Sequence, residues 1–225
     1  MNVPIDVRRA LALYAVLDPA RCRGRDPLEL AAAAGRGGVG LVQLRDKLAG
    51  TRDLVALARG LLAVLEPFQV PLVVNDRVDV ALASGAAGVH LGLSDMDPVD
   101  ARRLVGPDVV LGITVHHAPE AQAVPAGVAD YAGLGPVFAT SSKDPGDPPL
   151  GPEGLGRLIG EIRAHHVDLP VCGIAGIDHT NAASVIASGA DGVAVISDIF
   201  MADDVEAAAA RLRQVVDSSL REHQP

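Results

Sequence analysis

The alternation of short apolar runs with longer Ala- and Leu-rich segments is the feature that most restricts the fold of this chain. The apolar runs predict strands at Leu13–Leu17, Gly40–Leu44, Pro71–Val74, Gly88–Leu91, Val109–Ile113, Tyr131–Leu134, Pro170–Gly173 and Gly192–Ile196. The other segments predict helices near Pro27–Ala34, Thr51–Leu65, Val78–Ser84, Pro98–Val105, Ala118–Val124, Pro152–His165, Asn181–Ser188 and Val205–Leu220. Because the strands are too continuously apolar to face water on one side, the pattern indicates a parallel sheet covered by helices.

Eight strand–helix units favour closure into a single-domain (β/α)8 TIM barrel. Two similar sequence motifs, Ser84–Val89 and Ser188–Val193, each join the end of a helix to the start of a strand. Each has a Gly where the helix is expected to end. An open flavodoxin-like sheet is the alternative fold, but it uses fewer strands. Since no linker or low-complexity segment divides the chain, we expect one domain over residues 1–225, with residues 1–10 as an N-terminal extension.

Composition and charge restrict the partners of the protein. Its 19 basic and 28 acidic residues give a formal charge of −9, which disfavours nucleic acid and anionic membranes as partners. No apolar run approaches the ~20 residues needed to cross a bilayer. The two cysteines, Cys22 and Cys172, are too few for a disulfide framework and lack metal-ligand spacing. These features favour a cytoplasmic protein that binds anionic small molecules through a local site.

Polar side chains follow the second predicted strand, where a barrel of this kind carries its chemistry. Strand alternation places Gln43, Arg45 and Lys47 on the face toward the barrel mouth, and Val42 and Leu44 toward the helices. An anionic ligand would satisfy these polar groups, because Arg can donate two parallel hydrogen bonds to it and Lys provides a compact positive charge. The alternative is a solvated loop in which Asp46 pairs with Arg45 or with Lys47.

Carboxylates follow the third and fourth predicted strands. Asn75 and Asp76 come directly after the third strand, and Asp95 follows the fourth. Taken alone, each Asp is the usual cap of the next helix. Together, two carboxylates at neighbouring strand ends can hold one Mg2+, which takes its remaining ligands from phosphate and water. Beside the Gln43, Arg45 and Lys47 set, the magnesium site is the favoured interpretation.

The loops after the last three strands have the composition of a phosphate site. The sixth strand is followed by hydroxyl side chains and one of the two lysines of the chain, and the seventh and eighth lead into small residues whose backbone amides are accessible. The residues concerned are Thr140, Ser142, Lys143, Gly176, Ile196 and Ser197. Both lysines, Lys47 and Lys143, therefore lie beyond strand ends on the same predicted face.

The histidines do not indicate a metal site or a clear general base. His90 lies at a strand end and has the position of a hydrogen-bonded core residue, while His116 and His117 lie in a loop near the mouth. No pair of histidines has the spacing of metal ligands.

Taken together, these motifs resemble those of the thiamine phosphate synthase family from about Leu13 to Phe200, nearly the whole chain. The resemblance rests on five segments, namely Val42–Lys47, Val74–Arg77, Gly88–Gly92 with Asp95, Asp130–Phe138 and Ile174–Ile177. It implies a transferase that joins 4-amino-2-methyl-5-hydroxymethylpyrimidine diphosphate to hydroxyethylthiazole phosphate, giving thiamine phosphate and pyrophosphate. It also implies that the pyrimidine diphosphate ionises first, forming a pyrimidine-methyl cation.

By motif match, the resemblance implies roles for individual residues. Gln43, Arg45, Lys47, Asn75 and Lys143 would contact the pyrimidine diphosphate, with Arg45, Lys47 and Lys143 as the catalytic cations, and Asp76 and Asp95 would hold Mg2+. Thr140, Ser142, Gly176, Ile196 and Ser197 would surround the thiazole phosphate, and Thr114 stands at a substrate position where Ser is usual. Since charge builds on the departing pyrophosphate, fixed cations there stabilise the transition state more than the ground state.

The chain departs from the family pattern mainly at Ala175, where Gly is usual, so that a methyl group lies where a phosphate approaches the backbone. Two alternative functions remain open at this point, besides a generic phosphosugar isomerase, which the fold alone would allow. The first is a thiazole tautomerase, a related barrel in which His116 would match the acid/base residue but which tends to lose the diphosphate and metal residues. The second is a non-catalytic barrel that binds a phosphorylated ligand.

Overall fold

The computed structural model of the chain describes residues 5–140 and 148–223, and its strands form one closed parallel barrel. The strands are β1 (Leu13–Leu17), β2 (Leu41–Leu44), β3 (Leu72–Asn75), β4 (Gly88–Leu91), β5 (Val110–Val115), β6 (Tyr131–Leu134), β7 (Val171–Ile174) and β8 (Gly192–Val195). Each strand pairs in parallel with the next, and β8 closes the barrel against β1. The predicted TIM barrel is confirmed.

Helices surround the barrel in the described part of the chain. They are α1 (Val7–Leu11), α2 (Pro27–Arg36), α3 (Thr51–Leu65), α4 (Val78–Ser84), α5 (Pro98–Val105), α6 (Ala118–Ala123), α7 (Gly151–His165), α8 (Ala182–Ala187), α9 (Ser197–Phe200) and α10 (Val205–Glu222). Several begin at an Asp that caps the first turn: Asp26 before α2 accepts from the Leu28 amide, and Asp97 before α5 accepts from the Val99 amide. Within residues 5–140 and 148–223, no helix is long and apolar enough to cross a membrane.

Three strands end later than the sequence pattern predicts. The fifth strand, predicted to end at Ile113, continues to Val115 because Thr114 and Val115 pair with β6. The third and seventh strands each include one more residue, Asn75 and Ile174. As a result, Asn75 and Thr114 are held by the sheet itself rather than by the loops that follow it.

Two apolar layers hold the barrel together. Residues at alternate strand positions, such as Val42 and Leu44, pack outward against the helices. The intervening positions, such as Leu41 and Val110, fill the barrel interior. This alternation is the one expected of a parallel barrel covered by helices, and it leaves the carboxyl ends of the strands as the mouth.

The opposite, N-terminal end of the barrel is closed by α1. Asp6 caps this helix, and Ala10 and Leu11 pack into the interior cluster. Gly192 allows the close approach, because a Cβ at this position would lie 1.8 Å from the Leu11 carbonyl oxygen. The segment predicted as an N-terminal extension thus contains a helix that covers the bottom of the barrel.

Candidate active site

The end of β2 places Gln43 inside the barrel, on the face that strand alternation predicts. Its side chain is 3% exposed, and its amide nitrogen donates to the Tyr14 hydroxyl on β1. Val42 and Leu44, on either side of it, pack against the helices. The amide of Gln43 therefore reaches the mouth from within the core rather than from a loop.

Arg45 forms an ion pair that the sequence analysis did not predict. Its guanidinium lies 2.6 Å from the carboxylate of Asp18, which follows β1, and both side chains are largely buried. The other oxygen of Asp18 accepts from the amide of Ala20 at 3.0 Å, so the carboxylate is fixed at the start of a short 3-10 turn. Asp18 thereby orients Arg45 with one side of its guanidinium, which leaves its other N–H groups for a ligand.

The solvated-loop alternative required Asp46 to pair with Arg45 or Lys47, and it pairs with neither. One oxygen of Asp46 accepts from the amides of Leu48 and Ala49 at 2.9 and 3.0 Å. Asp46 therefore closes the turn after β2, and both neighbouring cations have other partners.

Lys47, Asp76 and Asp95 meet at the mouth, as their positions after β2, β3 and β4 predict. The ammonium of Lys47 lies 2.9 Å from Asp76. Asp76 has a left-handed backbone conformation with φ of 63°, and its amide donates to the His90 carbonyl at 2.8 Å. Burial, together with the neighbouring Asp76 carboxylate, which accepts from the protonated form of Asp95, raises the pKa of the Asp95 carboxyl above its usual range.

This pair of carboxylates has the donor chemistry that suits Mg2+. One Asp95 oxygen accepts from the Gly92 amide at 2.6 Å, which fixes the side chain. Two carboxylates held against each other repel when both are ionised, and a divalent cation between them relieves that repulsion. Mg2+ is commonly held by one or two carboxylates together with substrate phosphates. Among residues 5–140 and 148–223, no group of three or more His, Cys, Asp or Glu is placed to hold a metal ion.

A run of buried hydrogen bonds crosses the barrel interior beneath the mouth. Tyr14 and Tyr131 hydroxyls are 2.8 Å apart, and Tyr131 also contacts Nδ1 of His90 at 2.9 Å. Nε2 of His90 lies 2.8 Å from Oγ1 of Thr114 on β5. His90 is thus a hydrogen-bonded core residue, as predicted. Tyr14 and Tyr131 were missed, because an apolar strand gives no signal that its tyrosine hydroxyl has a partner.

The loops after β7 and β8 bring together Ala175, Gly176, Ile196 and Ser197. Ala175 has φ of 78° and Gly176 has φ of 67°, so two successive residues are left-handed. A Cβ on Gly176 would lie 2.6 Å from the Ala139 carbonyl oxygen, which explains the need for Gly there. Ser197 is exposed as the first residue of α9, and Ile196 packs against the interior cluster.

His179 joins these two loops. Its Nδ1 lies 3.0 Å from Oδ1 of Asp198, and its amide donates to Oδ2 of the same carboxylate. The contact holds the loop after β7 against α9. An Asp–His pair therefore stabilises the predicted phosphate site.

The long loop after β6 is described only in part. Thr140 is half-buried, near the turn where the Phe138 amide donates to the Ala175 carbonyl at 3.1 Å. The predictions for Ser142 and Lys143 lie outside the described residues.

His116 and His117 share one partner at the mouth. Glu120 contacts Nδ1 of His116 at 3.2 Å and Nε2 of His117 at 2.9 Å, and it also accepts from the His116 amide at 2.6 Å. Both imidazoles are therefore held by the first turn of α6.

Comparison with known proteins agrees with this geometry. A model of the thiamine monophosphate synthase family matches residues 13–199. The chain is 46% identical over 197 residues to thiamine-phosphate synthase of Agrobacterium fabrum, covering 88% of this chain and 90% of the relative. It is 47% identical over 205 residues to that of Chloroflexus aurantiacus, covering 91% and 92%. The solved thiamine phosphate pyrophosphorylase of Pyrococcus furiosus superposes with a TM-score of 0.84 at 34% identity, covering 96% of this chain and 100% of that one.

Proposed function

Since the chain belongs to the thiamine monophosphate synthase family, we propose how its own residues carry out the family reaction. The protein is a transferase of thiamine biosynthesis. It joins 4-amino-2-methyl-5-hydroxymethylpyrimidine diphosphate to hydroxyethylthiazole phosphate, releasing pyrophosphate. In this displacement the bond from the pyrimidine methylene carbon to the diphosphate oxygen breaks, and the thiazole nitrogen forms the new bond to that carbon.

The diphosphate of the first substrate binds at the ends of β2, β3 and β4 in this proposal. The observation that carries the assignment is the meeting of Lys47, Asp76 and Asp95 at one point of the mouth. Asp76 and Asp95 would hold Mg2+, which would supply positive charge to the diphosphate when bound. Lys47, which pairs with Asp76, also contacts the diphosphate.

Arg45, Asn75 and Lys143 complete the diphosphate site. Arg45 is fixed by Asp18 and donates its remaining N–H groups to phosphate oxygens, a geometry that favours charge-assisted contacts. As the leaving group departs, its charge grows, so Arg45, Lys47 and Lys143 stabilise the transition state more than the bound substrate. Asn75, at the end of β3, lies beside His90 in the sheet register and contacts the same substrate.

The second substrate binds at the opposite side of the mouth. Gly176, Ile196 and Ser197 offer backbone amides and a hydroxyl to the thiazole phosphate, and Thr140 and Ser142 add hydroxyls from the β6 loop. The tight turn through Ala175 and Gly176, both with positive φ, supports this assignment, since backbone N–H groups in a turn can line a concavity for an anion. Gln43 and Thr114 contact the pyrimidine ring, which lies between the diphosphate site and the thiazole phosphate site.

Beyond these small-molecule substrates, we propose a cytoplasmic location and no nucleic-acid or membrane partner. The formal charge of −9 supports the exclusion of polyanionic partners.

The reaction is tested by a mass-detected assay of the purified protein with the pyrimidine diphosphate, hydroxyethylthiazole phosphate and Mg2+. We expect thiamine phosphate only when both substrates and Mg2+ are present, with loss of product after chelation and recovery on adding Mg2+ back. Equal turnover in excess chelator would contradict the magnesium site while leaving the transferase reaction intact. Binding of the diphosphate without product would contradict the reaction itself.

A further inference from the structure

The buried hydrogen bonds beneath the mouth form one continuous chain from β2 to β5. It runs from Gln43 through Tyr14, Tyr131 and His90 to Thr114, with successive hydroxyl and ring contacts of 2.8, 2.9 and 2.8 Å after the Gln43 amide. Both ends of this chain are residues that contact the pyrimidine in the proposed function. The middle residues lie below the mouth and belong to none of the roles assigned so far.

The direction of this chain follows from counting protons. The Gln43 amide nitrogen can only donate, so the Tyr14 hydroxyl accepts from it. We assign the Tyr14 hydrogen to the Tyr131 oxygen, because a buried hydroxyl hydrogen without an acceptor is costly. Tyr131 in turn directs its hydrogen to Nδ1 of His90, which must then be unprotonated. The imidazole proton therefore sits on Nε2 and is donated to Thr114.

The surroundings keep this order in place. The side chains of Tyr14, Tyr131 and His90 are 1%, 0% and 4% exposed, so an unmade hydrogen bond among them is costly. Burial raises the pKa of both phenols above the usual range, so each keeps the hydrogen that the chain requires. The rings are also locked by packing, since Tyr131 stacks on His90 and meets Tyr14 edge to face.

Gly112 makes room for this arrangement. A Cβ on Gly112 would lie 2.1 Å from a ring carbon of Tyr131, so no other residue at that position admits the ring. The chain of hydrogen bonds thus depends on Gly112, an interior residue of β5 that lies two residues before Thr114 on the same face of the strand.

We infer that Tyr14, Tyr131 and His90 are positioning residues that fix the hydrogen-bond polarity of the pyrimidine site. Because the nitrogen of Gln43 is tied inward, its carbonyl oxygen faces the mouth as an acceptor. Because Thr114 accepts from His90, its hydroxyl hydrogen is left as a donor. An acceptor beside a donor matches the edge of a 4-aminopyrimidine, whose amine donates and whose neighbouring ring nitrogen accepts. The inference rests on the proposed function and adds the origin of its pyrimidine selectivity.

The first test reads the tautomer of His90 in the unmodified protein. The 15N chemical shifts of the imidazole distinguish protonated from unprotonated ring nitrogens, and the His90 signals are assigned by their loss in His90→Gln. We expect the proton on Nε2 and none on Nδ1 at neutral pH. A proton on Nδ1 would make His90 donate to Tyr131 and accept from Thr114, which would leave Thr114 without a hydrogen for the ligand and overturn the inference.

The second test compares two ligands by calorimetric titration with Mg2+ and without the thiazole substrate. These are the 4-amino pyrimidine diphosphate and its 4-oxo analogue, in which the donor and acceptor of the ring edge are exchanged. We expect the unmodified protein to prefer the amino ligand and Tyr131→Phe to lower that preference by about tenfold, the effect of one neutral hydrogen bond. An unchanged preference in Tyr131→Phe would overturn the inference.

Two controls separate positioning from general damage. Affinity for pyrophosphate, which lacks the pyrimidine, should be the same in Tyr131→Phe and the unmodified protein. Cys172→Ala, another buried position of the same interior cluster outside the hydrogen-bond chain, should keep the ligand preference. Formation of thiamine phosphate by the unmodified protein tests the proposed function separately, so failure of one proposal is distinguishable from failure of the other.

Discussion

The ammonium of Lys47 lies 2.9 Å from the carboxylate of Asp76, although the two residues follow different strands. Asp95 lies beside the same carboxylate, and its pKa is raised by burial and by that neighbour. Asp76 therefore lies between a cation and a second acid, at the centre of the proposed diphosphate site. This arrangement makes Asp76 the most informative position for testing the role of Mg2+.

Replacing Asp76 with Asn should abolish Mg2+-dependent turnover while the barrel remains folded. Asn is chosen because it adopts the left-handed conformation of this residue more readily than Ala does. Turnover across a Mg2+ titration measures the effect, and circular dichroism checks the fold. Asp79→Asn is the matched control, because Asp79 follows closely in sequence but is exposed and pairs with Arg77 instead. Normal activity of Asp76→Asn at saturating Mg2+ would contradict the metal assignment.

Arg45 and Asp18 give a graded prediction. Arg45→Ala removes a charge-assisted contact to the diphosphate and should weaken its binding by about 1.5–3 kcal/mol. Asp18→Asn keeps the guanidinium but removes the carboxylate that orients it, so we expect a smaller loss. Calorimetric titration with the pyrimidine diphosphate measures both. A larger loss in Asp18→Asn than in Arg45→Ala would show that Asp18 does more than orient its partner.

The two cysteines should be inert in the folded protein. Burial raises the pKa of Cys22, and it raises the pKa of Cys172 to about 12. At pH 8 a thiol of pKa 12 is ionised in only about one molecule in 10⁴, and the thiolate is the reactive form. We expect no release of chromophore from an aromatic disulfide reagent at pH 8, and release of two equivalents after unfolding in guanidinium chloride. Rapid release of one equivalent from the native protein would contradict this.

The fold and the polar groups at the mouth were predictable from local sequence, because the residues after each strand form a recognisable pattern. The helix at Thr51–Leu65 has the predicted bounds, and Lys47, Asp76 and Asp95 meet because parallel strands end at one face of the barrel. Each of these predictions needs only a strand, its direction and the residues that follow it.

The partners inside the barrel were not predictable in this way. Tyr14 and Tyr131 are 117 residues apart in sequence, and which interior side chains meet depends on the stagger of the closed sheet. Asp18 was missed as the partner of Arg45 for a similar reason, since an Asp after a strand has the usual pattern of a cap. Local signals thus place groups at the mouth, while the pairings that orient them come from the register.

Ala175 combines a structural cost with a place in the proposed phosphate site. Its φ of 78° is left-handed, a conformation that costs a residue with a Cβ about 1–2 kcal/mol. Gly removes that cost but loses about 0.4–1 kcal/mol through the greater freedom of the unfolded chain. Ala175→Gly should therefore raise the free energy of unfolding by about 0.5–1 kcal/mol, measured by urea denaturation.

The matched control is Ala210→Gly, at an exposed position inside α10, which should lower the free energy of unfolding by about 1 kcal/mol. Removing the Ala175 methyl also widens the approach of a phosphate to the backbone of this loop. We therefore expect the KM for hydroxyethylthiazole phosphate to fall in Ala175→Gly and the KM for the pyrimidine diphosphate to stay unchanged. If Ala175→Gly destabilises the protein as Ala210→Gly does, the left-handed strain at this residue is not a cost to the fold. If the KM for the thiazole substrate rises instead, the methyl group contributes to binding rather than hindering it.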